Sequence, residues 1–98
     1  MNILIEYLNS KKVSFFDIGF GECFIRNVDG VLEPFIKTPC SKCENLYTGK
    51  YKYNAVRLNS TYKENMSYEE YNKYIQSTFV RIGSEEKVVR VNREDCFK

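Results

Sequence analysis

Ninety-eight residues with a net charge of +2 suffice for one domain and are too weakly basic to demand nucleic acid or a membrane as partner. Apolar residues make up 43% and charged residues 29%, and with 8 Tyr, 7 Phe, 2 Met and no Trp the bulky apolar content falls to Tyr and Phe together with Ile, Leu and Val. Histidine is absent, which removes Ser-His-Asp and Cys-His catalysis, histidine metal sites and histidine general bases, so a binding protein rather than an enzyme is expected.

The chain opens on an apolar cluster, Ile3, Leu4, Ile5, Tyr7 and Leu8, a short helix or an edge strand that periodicity alone does not assign. Val13-Ser14-Phe15-Phe16 reads as a short strand. In Asp17-Ile18-Gly19-Phe20-Gly21, two glycines two residues apart predict a tight turn needing positive φ or close backbone approach. A phosphate-cradling loop is disfavoured there, since no third glycine, Lys-Thr pair or clear helix follows. Residues 22–26 and 31–37 read as strands, joined through Asn27-Val28-Asp29-Gly30 in a tight hairpin. Pro34 pushes the second of these toward a sheet edge or a bulge. Residues 38–49 read as loop and 51–59 as a further strand.

Ser67 with Glu70 three residues later is a capping-box pattern that opens the one firm helix, expected near residues 68–79. Tyr68, Tyr71, Tyr74 and Ile75 recur at helical spacing, a stripe that either docks the helix on the sheet or lines a binding surface. Residues 79–82 and 87–91 return to strand, with Gly83-Ser84-Glu85-Glu86 as a hairpin loop between them. The predicted fold is therefore mostly β (α+β), a single domain over residues 1–98. It is a small curled antiparallel sheet or SH3-like open barrel with one inserted α-helix.

No apolar run approaches the ~20 residues that span a bilayer. Residues 2–8 lack a basic flank and contain Glu6, unlike a signal peptide, so the cytoplasm is the expected location. In that reducing compartment the four cysteines are thiols or metal ligands rather than disulfides.

The segment from Val13 through Phe15-Phe16-Asp17-Ile18-Gly19-Phe20-Gly21-Glu22-Cys23-Phe24 resembles the opening of a widespread group of small phage and prophage proteins. Phe35-Ile36-Lys37-Thr38, Asn54-Ala55-Val56-Arg57-Leu58-Asn59 and Lys87-Val88-Val89-Arg90-Val91 resemble later strands of that group. The resemblance covers about half the chain and implies a β-barrel-like fold and phage origin, with no general activity attached. Two stretches depart from the pattern, the Cys40–Cys43 region and the helix near 68–79, and insertions on a small scaffold are where specific function is added. What the resemblance implies is an accessory protein that inhibits a host defence system, in the manner of an anti-CRISPR, by binding a host protein or nucleoprotein complex in the host cytoplasm.

Two constellations could carry chemistry. Cys40-Ser41-Lys42-Cys43 is a Cys-x-x-Cys in which a loop would turn both sulfurs toward one zinc ion, with Cys23 and Cys96 as further ligands from elsewhere. The more economical reading leaves all of them as free thiols and Cys23 in the core, with no cofactor. The stretch 47–63 holds Lys50, Lys52, Arg57 and Lys63 with no acidic residue, interleaved with Tyr47, Tyr51, Tyr53 and Tyr62. Cations beside rings suit a nucleotide or nucleic acid, and equally a protein interface, where Tyr and Arg are common hot spots. The predicted contact set is Lys50, Tyr51, Lys52, Tyr53, Arg57, Tyr62 and Lys63. Strand alternation gives the plainer reading, with the rings packed inward and the lysines solvated. Two alternatives to the inhibitor stand beside it: sequestration of a nucleotide-like immune signal, and a zinc-stabilised nucleic-acid-binding module.

Overall fold

The structure, a computed structural model, describes residues 3–45, 49–60 and 63–91. Helix α1 (Ile3–Asn9) leads into β1 (Lys12–Ser14) and a single 3-10 turn at Phe15–Asp17. Then follow β2 (Cys23–Val28), β3 (Val31–Asn45), β4 (Gly49–Arg57), α2 (Tyr68–Thr78), β5 (Phe79–Val80) and β6 (Lys87–Val91). The strands form one antiparallel sheet in the order β1-β6-β2-β3-β4-β5, curled but not closed. The apolar cluster at the start of the chain is thus helical, and the strand expected at 13–16 turns into the 3-10 helix at Phe15.

Local chemistry accounts for the turns. Asp29 (φ 50°) and Gly30 (φ 87°) take the two left-handed positions of the β2–β3 hairpin, and Asn27 Oδ1 accepts from the Gly30 amide at 2.8 Å. In the 17–21 turn Gly21 has φ 83°, while the Gly19 amide donates to Glu22 Oε1 at 2.6 Å. A Cβ on Gly19 would lie 2.7 Å from that oxygen. The turn is closed by its own carboxylate and presents no cradle for a phosphate at this point.

Alternation along β2 separates two apolar faces. Phe24 joins Phe15, Ile18, Phe35, Ala55, Ile82 and Val88 on the inner, concave face. Cys23 and Ile25 join Val89 and Val91 on the outer face, where Tyr7 of α1 packs against them. Phe15 follows one edge strand and Ile82 follows the other, yet both sit in one cluster; only a strongly curled sheet brings them together. The Phe24 ring stands edge-on to Phe15 with centroids 5.3 Å apart and stacks on Phe35 at 5.8 Å.

Three expectations are corrected. Residues 38–45 are strand, not loop: β3 continues through a register shift between Lys37 and Ser41 and pairs with the start of β4. Pro39 sits within that irregularity, where a missing amide hydrogen breaks no regular ladder. Pro34 lies in a central strand, opposite Ile25, rather than at an edge. Its carbonyl accepts from the Leu58 amide at 3.0 Å, so its nitrogen faces the same side, where β4 has just ended at Arg57. The proline removes one donor at the point where the neighbouring strand stops. Third, β5 and β6 form no hairpin. β5 pairs with β4, whereas β6 lies between β1 and β2. Residues 81–86 carry the chain across the mouth of the curled sheet, and they are pinned on both sides. Asn54 accepts from the Ile82 amide at 2.8 Å and donates to its carbonyl at 2.9 Å. Arg26 holds Glu86 through two bonds of 2.6 and 3.0 Å, and Phe15 and Phe16 donate to the carbonyls of Glu86 and Ser84.

At about 3.3 Å per residue a straight fifteen-residue β3 would exceed the 39 Å length of the molecule. The strand must therefore bend, and the register shift near Lys37 is the place. Beyond it, the β3–β4 hairpin continues as an arm past the six-stranded region.

Candidate functional site

The residues expected to act together on β4 divide into three groups. Tyr51 and Tyr53 lie on the same side of the strand as the buried Ala55, and both are half-buried. The Tyr51 hydroxyl donates to the Ile75 carbonyl of α2 at 2.9 Å, and the Tyr53 ring meets Phe79 edge-on at 5.0 Å. These rings fasten the helix to the arm. Lys50 and Lys52 alternate to the other side and are exposed. The plainer alternation described for this strand is what the fold adopts for the rings.

The register adds a lysine that sequence reasoning missed. Lys42 of β3 stands directly opposite Lys52 of β4, and both are exposed. Directly opposed residues of an antiparallel pair project to one face, where like charges repel by roughly 0.2–1 kcal/mol. Lys50, two residues from Lys52, shares this face and has Glu44 opposite it in register. Lys42, Lys50 and Lys52 therefore share one side of the arm. Lys42 emerges as part of the set only when residues 38–45 are read as a strand paired with β4.

Arg57 and Lys63 fall in the third group, at the far end of β4. They line a cleft of about 410 Å³ with Met66, Glu70, Lys73 and Tyr74. Arg57 is committed to an ion pair with Glu33 on the neighbouring strand, with both side chains mostly buried. Its role in the fold is thereby fixed, although its Nε is buried without a hydrogen-bond partner. Tyr62 lies outside the described residues.

The helix docks through only the C-terminal part of the expected stripe. Ser67 caps α2 as the sequence predicts, accepting from the Glu70 amide at 3.2 Å, and Glu69 and Glu70 place negative charge in the first turn. The buried residues of α2 are Ile75 and Thr78, and Thr78 Oγ1 bonds Ser60 Oγ at 2.6 Å. Tyr68 is 69% exposed and Tyr71 36% exposed, while Tyr74 is half-buried beside Tyr71. The stripe thus belongs to the surface at its N-terminal end and reaches the sheet only at its C-terminal end.

Of the expected cysteine set, the structure places the side chains of Cys23 and Cys40. Cys23 is enclosed in the outer-face core, and Cys40 is exposed beside the β3 register shift. Cys43 pairs through its backbone with Tyr51, so the Cys-x-x-Cys gap lies in strand where a loop was expected. Cys96 lies outside the described residues. Among the described residues no group of three or more His, Cys, Asp or Glu side chains could hold a metal ion, and no helix is long and apolar enough to cross a membrane. The chain matches no known family model, no curated protein and no solved structure.

Proposed function

We propose that this protein acts by binding, as a phage-encoded accessory protein that blocks a host protein or nucleoprotein complex of a defence system. The observation that supports it is the facing pair Lys42 and Lys52 with Lys50 beside them on an exposed arm. Mutual repulsion makes this arrangement unfavourable in isolation, and an acidic protein surface or a phosphate backbone relieves it. The exposed Tyr68 and Tyr71 on α2 offer the ring contacts that interfaces favour. The phage origin and the host target rest on the motif resemblance.

The test reverses charge where the fold does not depend on it. Lys50→Glu with Lys52→Glu should leave the unfolding midpoint within experimental error of the parent, since both side chains are exposed. The parent should restore plasmid survival in a bacterium whose nucleic-acid-guided defence targets that plasmid, and the double variant should not. Equal protection by both proteins would remove the arm from the mechanism; protection by neither would remove the defence target.

A further inference from the structure

A second site lies at the mouth of the curled sheet, on a different set of residues from the arm. Here the turn after β1, the irregular part of β3 and the 81–84 segment surround a slot of about 380 Å³. That size is within the usual range for small-ligand sites, roughly 300–1,000 Å³. Phe16 is 75% exposed and Phe20 68% exposed on its rim, two large rings that the core does not use. A folded chain leaves such rings in water at a cost, and their clustering beside a cavity marks a contact site.

The polar groups of the slot are all donors or neutral. Lys37 Nζ donates to the carbonyl of Phe15 at 2.9 Å and of Phe16 at 3.4 Å. An ammonium has three hydrogens, so one remains. The two carbonyls fix its position 4.4 Å from the Phe15 ring centroid and 5.7 Å from that of Phe20. Arg81 also lines the slot, is exposed, and forms no ion pair among the described residues. The Thr38 hydroxyl is buried there with no hydrogen-bond partner. Among the described residues no carboxylate lines the slot.

We infer that this slot binds a nucleoside monophosphate unit, as a free nucleotide or within a single strand. The base lies against Phe16 and Phe20, and the phosphate meets Lys37 and Arg81. Rings for a planar group and cations for an anion within one small cavity are the two halves of such a ligand.

Amide shifts in a two-dimensional NMR titration test this with adenosine 5′-monophosphate, adenosine, inorganic phosphate and a short deoxyadenosine strand. Saturable shifts at Phe16, Phe20, Thr38 and Arg81 are expected with the monophosphate, and weaker ones with adenosine or phosphate alone. Tighter binding of the strand through the same amides assigns the slot to single strands; tighter binding of the monophosphate assigns it to free nucleotide. Arg81→Glu, and separately Phe16→Ala with Phe20→Ala, should each weaken binding about tenfold or more while keeping the parent spectrum elsewhere. Lys50→Glu with Lys52→Glu should leave this binding unchanged, which separates failure of the slot from failure of the arm. No saturation up to about 1 mM ligand, shifts confined to Lys42, Lys50 and Lys52, or unchanged affinity in the slot variants would overturn the assignment.

Discussion

Arg57 and Glu33 face each other from neighbouring strands, with side chains 27% and 15% exposed. Removing the arginine leaves a mostly desolvated carboxylate without its counter-charge, so Arg57→Ala should cost about 1–3 kcal/mol. The urea midpoint, at unchanged m-value, reads that loss. A partner-binding role alone would leave the midpoint where it was. Asn54 makes a similar case without charge. Its amide both donates to and accepts from Ile82, replacing the strand that would otherwise lie there. Asn54→Asp keeps an acceptor and loses the donor, and Asn54→Leu loses both. Stability should fall in that order, by roughly 1 kcal/mol per lost bond. Nothing in the bare sequence separates these two residues from their neighbours. Both sit in a run that alternates properly for a strand, and only the partner across the sheet gives each its purpose.

For α2, the cap and the docking residues divide the stability. Ser67→Ala removes the hydroxyl that accepts from the Glu70 amide and should cost about 1 kcal/mol, a drop of about 4–8 °C in the thermal midpoint of a domain this size. Tyr68→Ala with Tyr71→Ala should change stability by less than about 0.5 kcal/mol per site, because the helix docks through Ile75 and Thr78. A large loss in that double variant would restore the tyrosine stripe as the docking face. The helix and its cap were legible in the sequence because capping is local: Ser67 and Glu70 are three residues apart and need no other part of the chain. The Asp29-Gly30 hairpin was legible for the same reason. Residues 38–45 were misread because Pro39 and two cysteines obscure an alternation that is maintained by pairing with β4. The link from β5 to β6 was misread because turn-forming residues between two strands mark a change of direction, and do not say which strands become neighbours.

At the scale of the whole molecule, curvature is set by the aromatic ladder inside it. Phe24 touches Phe15 and Phe35 and is fully buried, so Phe24→Ala should cost about 3–5 kcal/mol. For a domain of this size that is a large share of total stability, and loss of the cooperative thermal transition is the expected result. The curl was anticipated as a sheet or open barrel from the number of short strands. The arm was not, since its existence depends on β3 running past the body of the sheet. The predicted contact set was accordingly scattered: Lys50 and Lys52 on the arm, Tyr51 and Tyr53 beneath α2, and Arg57 in an internal pair. Adjacent positions on one strand serve opposite faces, and a linear stretch cannot display that division.

The placement of β6 between β1 and β2 has a consequence for how the protein is made. On the ribosome, β2, β3 and β4 emerge in the order in which they pair and can zip together as they appear. β1 has no neighbour except β6, which is synthesised more than seventy residues later. Until then the inner apolar face lacks Val88, and the outer face lacks Val89 and Val91. Both apolar faces of the emerging sheet therefore stay incomplete until β6 takes its place between β1 and β2.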